Sequence, residues 1–246
     1  MKIFIKDINI NYEVSGVGAP LIFLHGWGLD LHTFDNLAKE LSEDYSVYQI
    51  DLPGFGESDI SNSYTIEEYA NYINEFCLSL AIISPIIVGH SFGGRVAMMY
   101  ASRYDVDKLI LISSPGIKEK FNLLTYLKIK LYKFGKMLKI DFNMGSIDYK
   151  NSKGHLKNVL VKAVNFDLSL DIKKIKCPTL LLYGKKDKAV PLYIGKRINN
   201  LISGSGLVVV DKASHFPYIE RFRFCLIIIK SFLYGNKIWS ILHLVF

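Results

Sequence analysis

The chain has 246 residues, half of them hydrophobic and 13% aromatic, enough for a large core in one α/β domain with room for an insertion, and too apolar for a disordered chain. The formal charge of +7 is basic, but not basic enough alone to argue for nucleic acid. Cys77, Cys177 and Cys225 are odd in number, far apart and without metal-ligand spacing, which suggests a reducing compartment.

In chain order, "KIFIKDINI" and "NINYEVSG" alternate as a strand pair, and "PLIFLHG" is a short buried strand. "HTFDNLAKELSE" is a helix with Phe34, Leu37 and Leu41 at helical spacing. "YSVYQIDLPG" is a strand stopped by Pro53-Gly54, and "TIEEYANYINEFCLSL" a helix opened by a Thr65/Glu68 capping box. "PIIVGH", "GGRVAMMYASRY" and "VDKLILISSPG" continue as strand, helix, strand. From Ile117 to about Lys176 no strand is legible. The alternation returns with "CPTLLLYGKKD", a helix at "PLYIGKRINNLI", the strand "GLVVVDKASH" and a last helix from about Glu220 to Leu233. This predicts a mostly parallel, doubly wound sheet covered on both faces. A helical cap (117–176) interrupts a core of residues 1–116 and 177–234. The N-terminus lacks the apolar core of a signal peptide, and no run reaches the roughly 20 apolar residues of a membrane span; the expectation is a cytoplasmic protein.

The densest signal is "IIVGHSFGGRVAMMY". A serine flanked two residues away on each side by glycine, between a buried strand and a helix, is the pattern of a nucleophile elbow. The tight turn exposes the Ser91 oxygen at the sheet edge, and the helix N-terminus favours an anion. A serine needs a base, and the base an orienting acid. His215, in the loop after "GLVVVDKAS", is the best base. His90 should point away from its neighbour Ser91, His155 falls in the cap and His32 at a helix start. Asp187, after "TLLLYGKK", is the best acid; Asp211 competes but belongs to a strand end. A tetrahedral intermediate also needs oxyanion donors, for which the backbone N–H groups of Phe92 and of Trp27 in "HGWG" qualify. His25, Trp27 and Phe92 are the expected substrate contacts.

"LHGWG", "DLPGFGES", "GHSFGG", "LLYGKKDKAVP" and "ASHFPYIE" stand in the order and approximate spacing of the α/β-hydrolase superfamily, which residues 10–233 resemble apart from the cap. The resemblance is to the cap-bearing subgroup with small carboxylesterases, the pimeloyl-carrier-protein methyl ester esterase, meta-cleavage C–C hydrolases and cofactor-free haloperoxidases. Haloalkane dehalogenases and epoxide hydrolases carry an aspartate where this chain has Ser91. The resemblance implies hydrolysis of a carboxylic ester or thioester through an acyl-enzyme on Ser91, with no metal or organic cofactor. It leaves two further readings: C–C bond hydrolysis of a vinylogous diketone by the same triad, and a catalytically silent binding scaffold. "DLPGFGES" is expected to be a structural loop without chemistry.

Segment 118–176 holds 14 lysines, no arginine and five acidic residues, so the protein's positive charge resides there. Within it, "FNLLTYLKIKLYKFGKMLKI" is a basic amphipathic helix by spacing. It reads as an ordinary solvated face, as a steering surface for an anionic substrate or acidic carrier protein, or as a contact with an anionic membrane surface. The expected partner is a small-molecule acyl ester and not nucleic acid. The apolar tail 235–246 suits docking on the body or a dimer contact, so monomer and dimer both remain open.

Overall fold

The computed structural model describes residues 1–118, 148 and 152–235. Among these, eight strands are formed: β1 (Lys2–Ile5), β2 (Ile8–Ser15), β3 (Ala19–Leu24), β4 (Tyr45–Ile50), β5 (Ile86–His90), β6 (Leu109–Ile112), β7 (Thr179–Gly184) and β8 (Gly206–Val210). They build one sheet in the order β1-β2-β4-β3-β5-β6-β7-β8. The pairs β1/β2 and β2/β4 are antiparallel. Every pairing from β4 through β3, β5, β6 and β7 to β8 is parallel. In register, Leu24 pairs with Gly89, His90 with Ile112, Ile112 with Leu182 and Gly184 with Val210. The carboxyl ends of β3, β5, β7 and β8 thus share one edge, where an open α/β sheet presents its chemistry.

Helices cover both faces because strand residues alternate sides. On one side Ile22, Leu24, Ile50, Ile87, Leu109, Leu111, Leu181 and Tyr183 pack with α2 (Ile66–Ser79), α3 (Phe92–Ala101) and α6 (Leu192–Asn199). On the other, Leu21, Phe23, Val47, Ile86, Val88, Ile110, Ile112, Leu180 and Leu182 pack with α1 (Asp35–Leu41) and α8 (Phe222–Leu233). Each fully buried aliphatic side chain stabilises by about 1.5–3 kcal/mol relative to exposure. The capping box on α2 forms: Glu68 N–H donates to Thr65 Oγ1 (3.2 Å), and Thr65 N–H to Glu68 Oε2 (2.6 Å).

Two helices differ in detail from expectation. The predicted helix at 32–43 begins as a 3-10 turn over Leu31–Phe34, capped by Asp30, before α1 takes over. The last helix starts earlier than Glu220 and is broken: α7 (Pro217–Glu220) precedes α8, with Arg221 between them in a non-helical conformation (φ −130°, ψ 46°). Pro217 fits the first turn because proline has no N–H to leave unsatisfied there.

The described part of segment 117–176 contains α4 (Gly154–Asn165) and α5 (Ser169–Ile172), separate from any strand. Val159 and Ala163 of α4 and Ile172 of α5 join the core on the α2/α3 side. Arg95, buried in α3, donates through Nη2 to the carbonyls of Ala163 (2.6 Å) and Phe166 (2.5 Å) at the end of α4, the first of which also accepts Phe166 N–H (3.2 Å). Burial pulls the Arg95 pKa down to about 10. The expected amphipathic helix within 121–140 and the apolar tail from 236 lie outside the described residues. Among the described residues, no helix is long and apolar enough to cross a membrane.

Candidate active site

Ser91 sits between β5 and α3 with φ 50° and ψ −113°, a conformation that strains any residue with a Cβ. Such a residue costs about 1–3 kcal/mol and persists only where its surroundings enforce it. Here they do. Ser91 N–H donates to Ile112 O (3.0 Å), and Ser91 O accepts from Gly94 N–H (3.0 Å). A Cβ on Gly89 would lie 2.6 Å from Gly94 Cα, and one on Gly93 would strike the carbonyls of Leu24 and His25. At Gly94 the nearest obstacle to a Cβ is the Ser114 side chain rather than backbone. The turn therefore calls for glycine at 89 and 93, and it leaves Ser91 half-buried at the sheet edge. Among the described residues, Ser91 Oγ makes no hydrogen bond. Contacts between nucleophile and base are often long before substrate binds.

Asp187 follows β7 and is buried. Its Oδ1 accepts the N–H groups of Ala189 and Val190, each at 2.9 Å, and its Oδ2 lies 2.8 Å from His215 Nδ1. Burial works against its charge, but the His215 and Val190 hydrogen bonds outweigh it and hold the carboxyl below the usual carboxylate range. With Nδ1 committed to Asp187, Nε2 is the nitrogen of His215 left for a proton. Asp211 is in a different place: exposed, and paired with Lys185 at 2.9 Å. The chain order Ser91, Asp187, His215 therefore ends with His215 and Asp187 in contact. His215 also reaches the elbow, because its carbonyl accepts from His90 Nε2 (3.0 Å).

The loop after β3 carries Trp27. Its indole meets Phe92 (5.1 Å between centroids) and Phe55 (5.0 Å) edge to face, fixing this loop against the start of α3. Among the described residues, neither the Trp27 N–H nor the Phe92 N–H donates to an acceptor. Both expected oxyanion donors are thus unengaged beside the elbow.

A family model for the alpha/beta hydrolase fold matches residues 19–143. The chain belongs to the α/β-hydrolase family. Across 244 residues it is 29% identical to the pimeloyl-[acyl-carrier protein] methyl ester esterase of Vibrio cholerae, an alignment covering 87% of this chain and 94% of that protein. It is 28% identical to the AB hydrolase superfamily protein YisY of Bacillus subtilis, covering 90% of this chain and 91% of that one. In structure it resembles an esterase from Exiguobacterium antarcticum, with a TM-score of 0.77, 23% identity and coverage of 94% and 99%. That last likeness speaks for the fold.

Within this α/β hydrolase, His25 does not meet the expectation of a substrate contact. It is fully buried; Nδ1 donates to Gly26 O (2.8 Å) and Nε2 accepts Leu52 N–H (3.0 Å). Both nitrogens are spent on the loops around the site, and burial lowers its pKa, keeping the ring neutral. A glycine-flanked histidine at a strand end gave no sequence sign of that second partner. The "DLPGFGES" loop is held together by Asp51. Asp51 Oδ1 accepts Leu31 N–H (2.8 Å), Oδ2 accepts Glu57 N–H (2.9 Å) and Asn11 Nδ2 (2.8 Å), and Gly56 at φ 53° lets the chain fold over the carboxylate. Glu220 also borders the site, with no signal in the sequence to mark it. This carboxylate accepts Ser214 N–H (2.9 Å), Ser214 Oγ–H (2.6 Å) and Phe216 N–H (3.3 Å), on either side of His215.

Proposed function

We propose that this protein hydrolyses a carboxylic ester through an acyl-enzyme on Ser91. The observation that carries the reading is a strained, half-buried serine on the same sheet edge as a histidine bonded to a buried carboxylate. Ser91 Oγ attacks the ester carbonyl while its proton passes to Nε2 of His215. Asp187 keeps the other proton of the imidazole on Nδ1 and stabilises the cation that forms. The carbonyl oxygen, now an anion, is received by the N–H groups of Trp27 and Phe92; removing one such donor typically slows acyl transfer by about 10²–10³-fold. The intermediate collapses, the alcohol leaves with the proton from Nε2, and the acyl group stays on Ser91. Water then gives its proton to Nε2, attacks the acyl carbon, and the acid departs as Ser91 regains its hydrogen. No step calls for a metal or organic cofactor.

The relative in Vibrio cholerae, named for a methyl ester on an acyl-carrier protein, supports a small acyl ester as substrate. The excess of lysine in segment 118–176 supports an acidic carrier delivering it, since a cluster of positive charge attracts anions.

The test is Ser91→Ala against p-nitrophenyl esters of increasing chain length, beside a vinylogous diketone and a fluorophosphonate label. We expect ester turnover and labelling in the wild type and neither in the variant. Undiminished ester turnover by Ser91→Ala would remove the serine from its role. Turnover of the diketone alone would replace ester by C–C hydrolysis, and a wild type inert to the label would point to a silent scaffold.

A further inference from the structure

His215 lies on neither a strand nor a helix. It sits in the loop between the end of β8 at Val210 and the start of α7 at Pro217. A base must be held within about 0.5 Å of its productive place, and a free loop does not do that. Asp187 fixes the ring. The backbone beneath the ring is held separately, at two points.

The first point comes from the elbow. His90 is buried, and its Nε2 lies 3.0 Å from the carbonyl of His215. A carbonyl only accepts, so the proton is on Nε2 and that nitrogen donates. Among the described residues its Nδ1 has no partner. One buried nitrogen of this ring is a cost without a partner, so its polar contribution comes through the bond made by the other. His90 is also the peptide neighbour of Ser91, so one residue joins the nucleophile to the backbone of the base across 125 positions of sequence. The second point is Glu220, exposed on α7. Its two oxygens take the Ser214 N–H, the Ser214 hydroxyl and the Phe216 N–H, the groups immediately before and after His215.

We propose that His90 and Glu220 are positioning residues for the base: His90 sets the distance between elbow and loop, and Glu220 closes the loop from the solvent side. The proposal rests on Ser91 and His215 acting as nucleophile and base, and the experiment separates the two claims. Glu220→Ala, Glu220→Gln, His90→Phe and His90→Gln are compared with wild type and Ser91→Ala in ester hydrolysis and in the rate of fluorophosphonate labelling, each normalised to folded protein by near-UV circular dichroism. Glu220→Ala and His90→Phe are expected to lower kcat by about 10–100-fold, the scale of a misplacement near 1 Å. KM should stay within about twofold, because no substrate contact is removed. Labelling should slow in parallel with kcat. Glu220→Gln keeps an acceptor and His90→Gln keeps a donor at the Nε2 position, so each should recover part of the loss. If His90→Phe does not fold, Glu220→Ala, altered at an exposed position, decides. Turnover by Ser91→Ala would sink the hydrolase reading itself. An inert Ser91→Ala beside wild-type kcat in Glu220→Ala would overturn the positioning role alone, as would a fall in melting temperature with kcat per folded molecule unchanged.

Discussion

Replacing Asp187 by asparagine changes one atom and puts the proposed tautomer control to a direct test. Oδ1 already accepts two backbone N–H groups at 2.9 Å, and Oδ2 faces His215 Nδ1 at 2.8 Å. An amide has one oxygen to give. Turned with its NH2 toward Ala189 and Val190, it would set three buried donors against one another and leave two N–H groups unsatisfied, at about 1–3 kcal/mol each. The amide therefore places its oxygen on the backbone N–H groups and its NH2 against Nδ1. Two donors cannot face each other at 2.8 Å, so the imidazole moves its proton to Nε2, where it can no longer take one from Ser91. The same exchange in a serine protease lowers kcat by about 10⁴-fold, equivalent to about 5.4 kcal/mol in the barrier. The assay is steady-state hydrolysis of a short p-nitrophenyl ester near pH 7, with near-UV circular dichroism to show the fold is kept. A folded Asp187→Asn enzyme within tenfold of the wild-type kcat would mean that Asp187 does not set the tautomer of the base.

Three other outcomes are expected. Arg95→Met removes both of its hydrogen bonds to the end of α4; the Phe166 carbonyl loses its Arg95 donor while Ala163 O keeps Phe166 N–H, and urea denaturation should report a loss of about 1–3 kcal/mol. A wild-type midpoint would mean that these bonds contribute nothing net. Gly93→Ala drives a methyl into the carbonyls of Leu24 and His25, which belong to backbone and cannot swing aside; a loss of about 1–3 kcal/mol or more is expected, together with activity, and unchanged stability would show that the turn can widen. Stability should also respond to acid through Asp187. Its carboxyl titrates below the usual range in the folded chain, so its contribution is complete above the unfolded value and lost as pH falls through the folded one. Wild type and Asp187→Asn should therefore converge in stability below about pH 4, and a gap that widens on acidification would reverse the sign of this argument.

Periodicity is a local property, and the features legible in the sequence are those with local causes. Strand β5 and helix α3 follow from an apolar run meeting a helical repeat, and the elbow from glycines whose missing side chains are required by contacts a few residues away, as between Gly89 and Gly94. Even the long-range pairing of His215 with Asp187 was within reach, because each lies just past a strand and parallel neighbours end at one edge. What stayed hidden has no periodic signature. Arg95 meets Ala163 and Phe166 from 68 and 71 residues away, and an arginine in an otherwise apolar helix carries no mark of its acceptor. His25 resembled a substrate ligand because its second partner, Leu52 N–H, belongs to the next strand's exit.

The same reasoning explains why charge chemistry alone could not choose between Asp187 and Asp211. Both are aspartates just past a strand, Asp187 after β7 and Asp211 after β8, at the edge where His215 lies. They differ in surroundings: Asp187 is buried with three donors gathered on its two oxygens, whereas Asp211 is exposed beside a lysine. A surface pair of that kind is screened by water and fixes little. A buried carboxylate whose hydrogen bonds fill both oxygens cannot rotate without breaking one of them, so it can orient an imidazole. The capacity to act as the orienting acid resides in the turn Lys188–Ala189–Val190, which supplies two backbone N–H groups, as much as in the carboxylate they restrain.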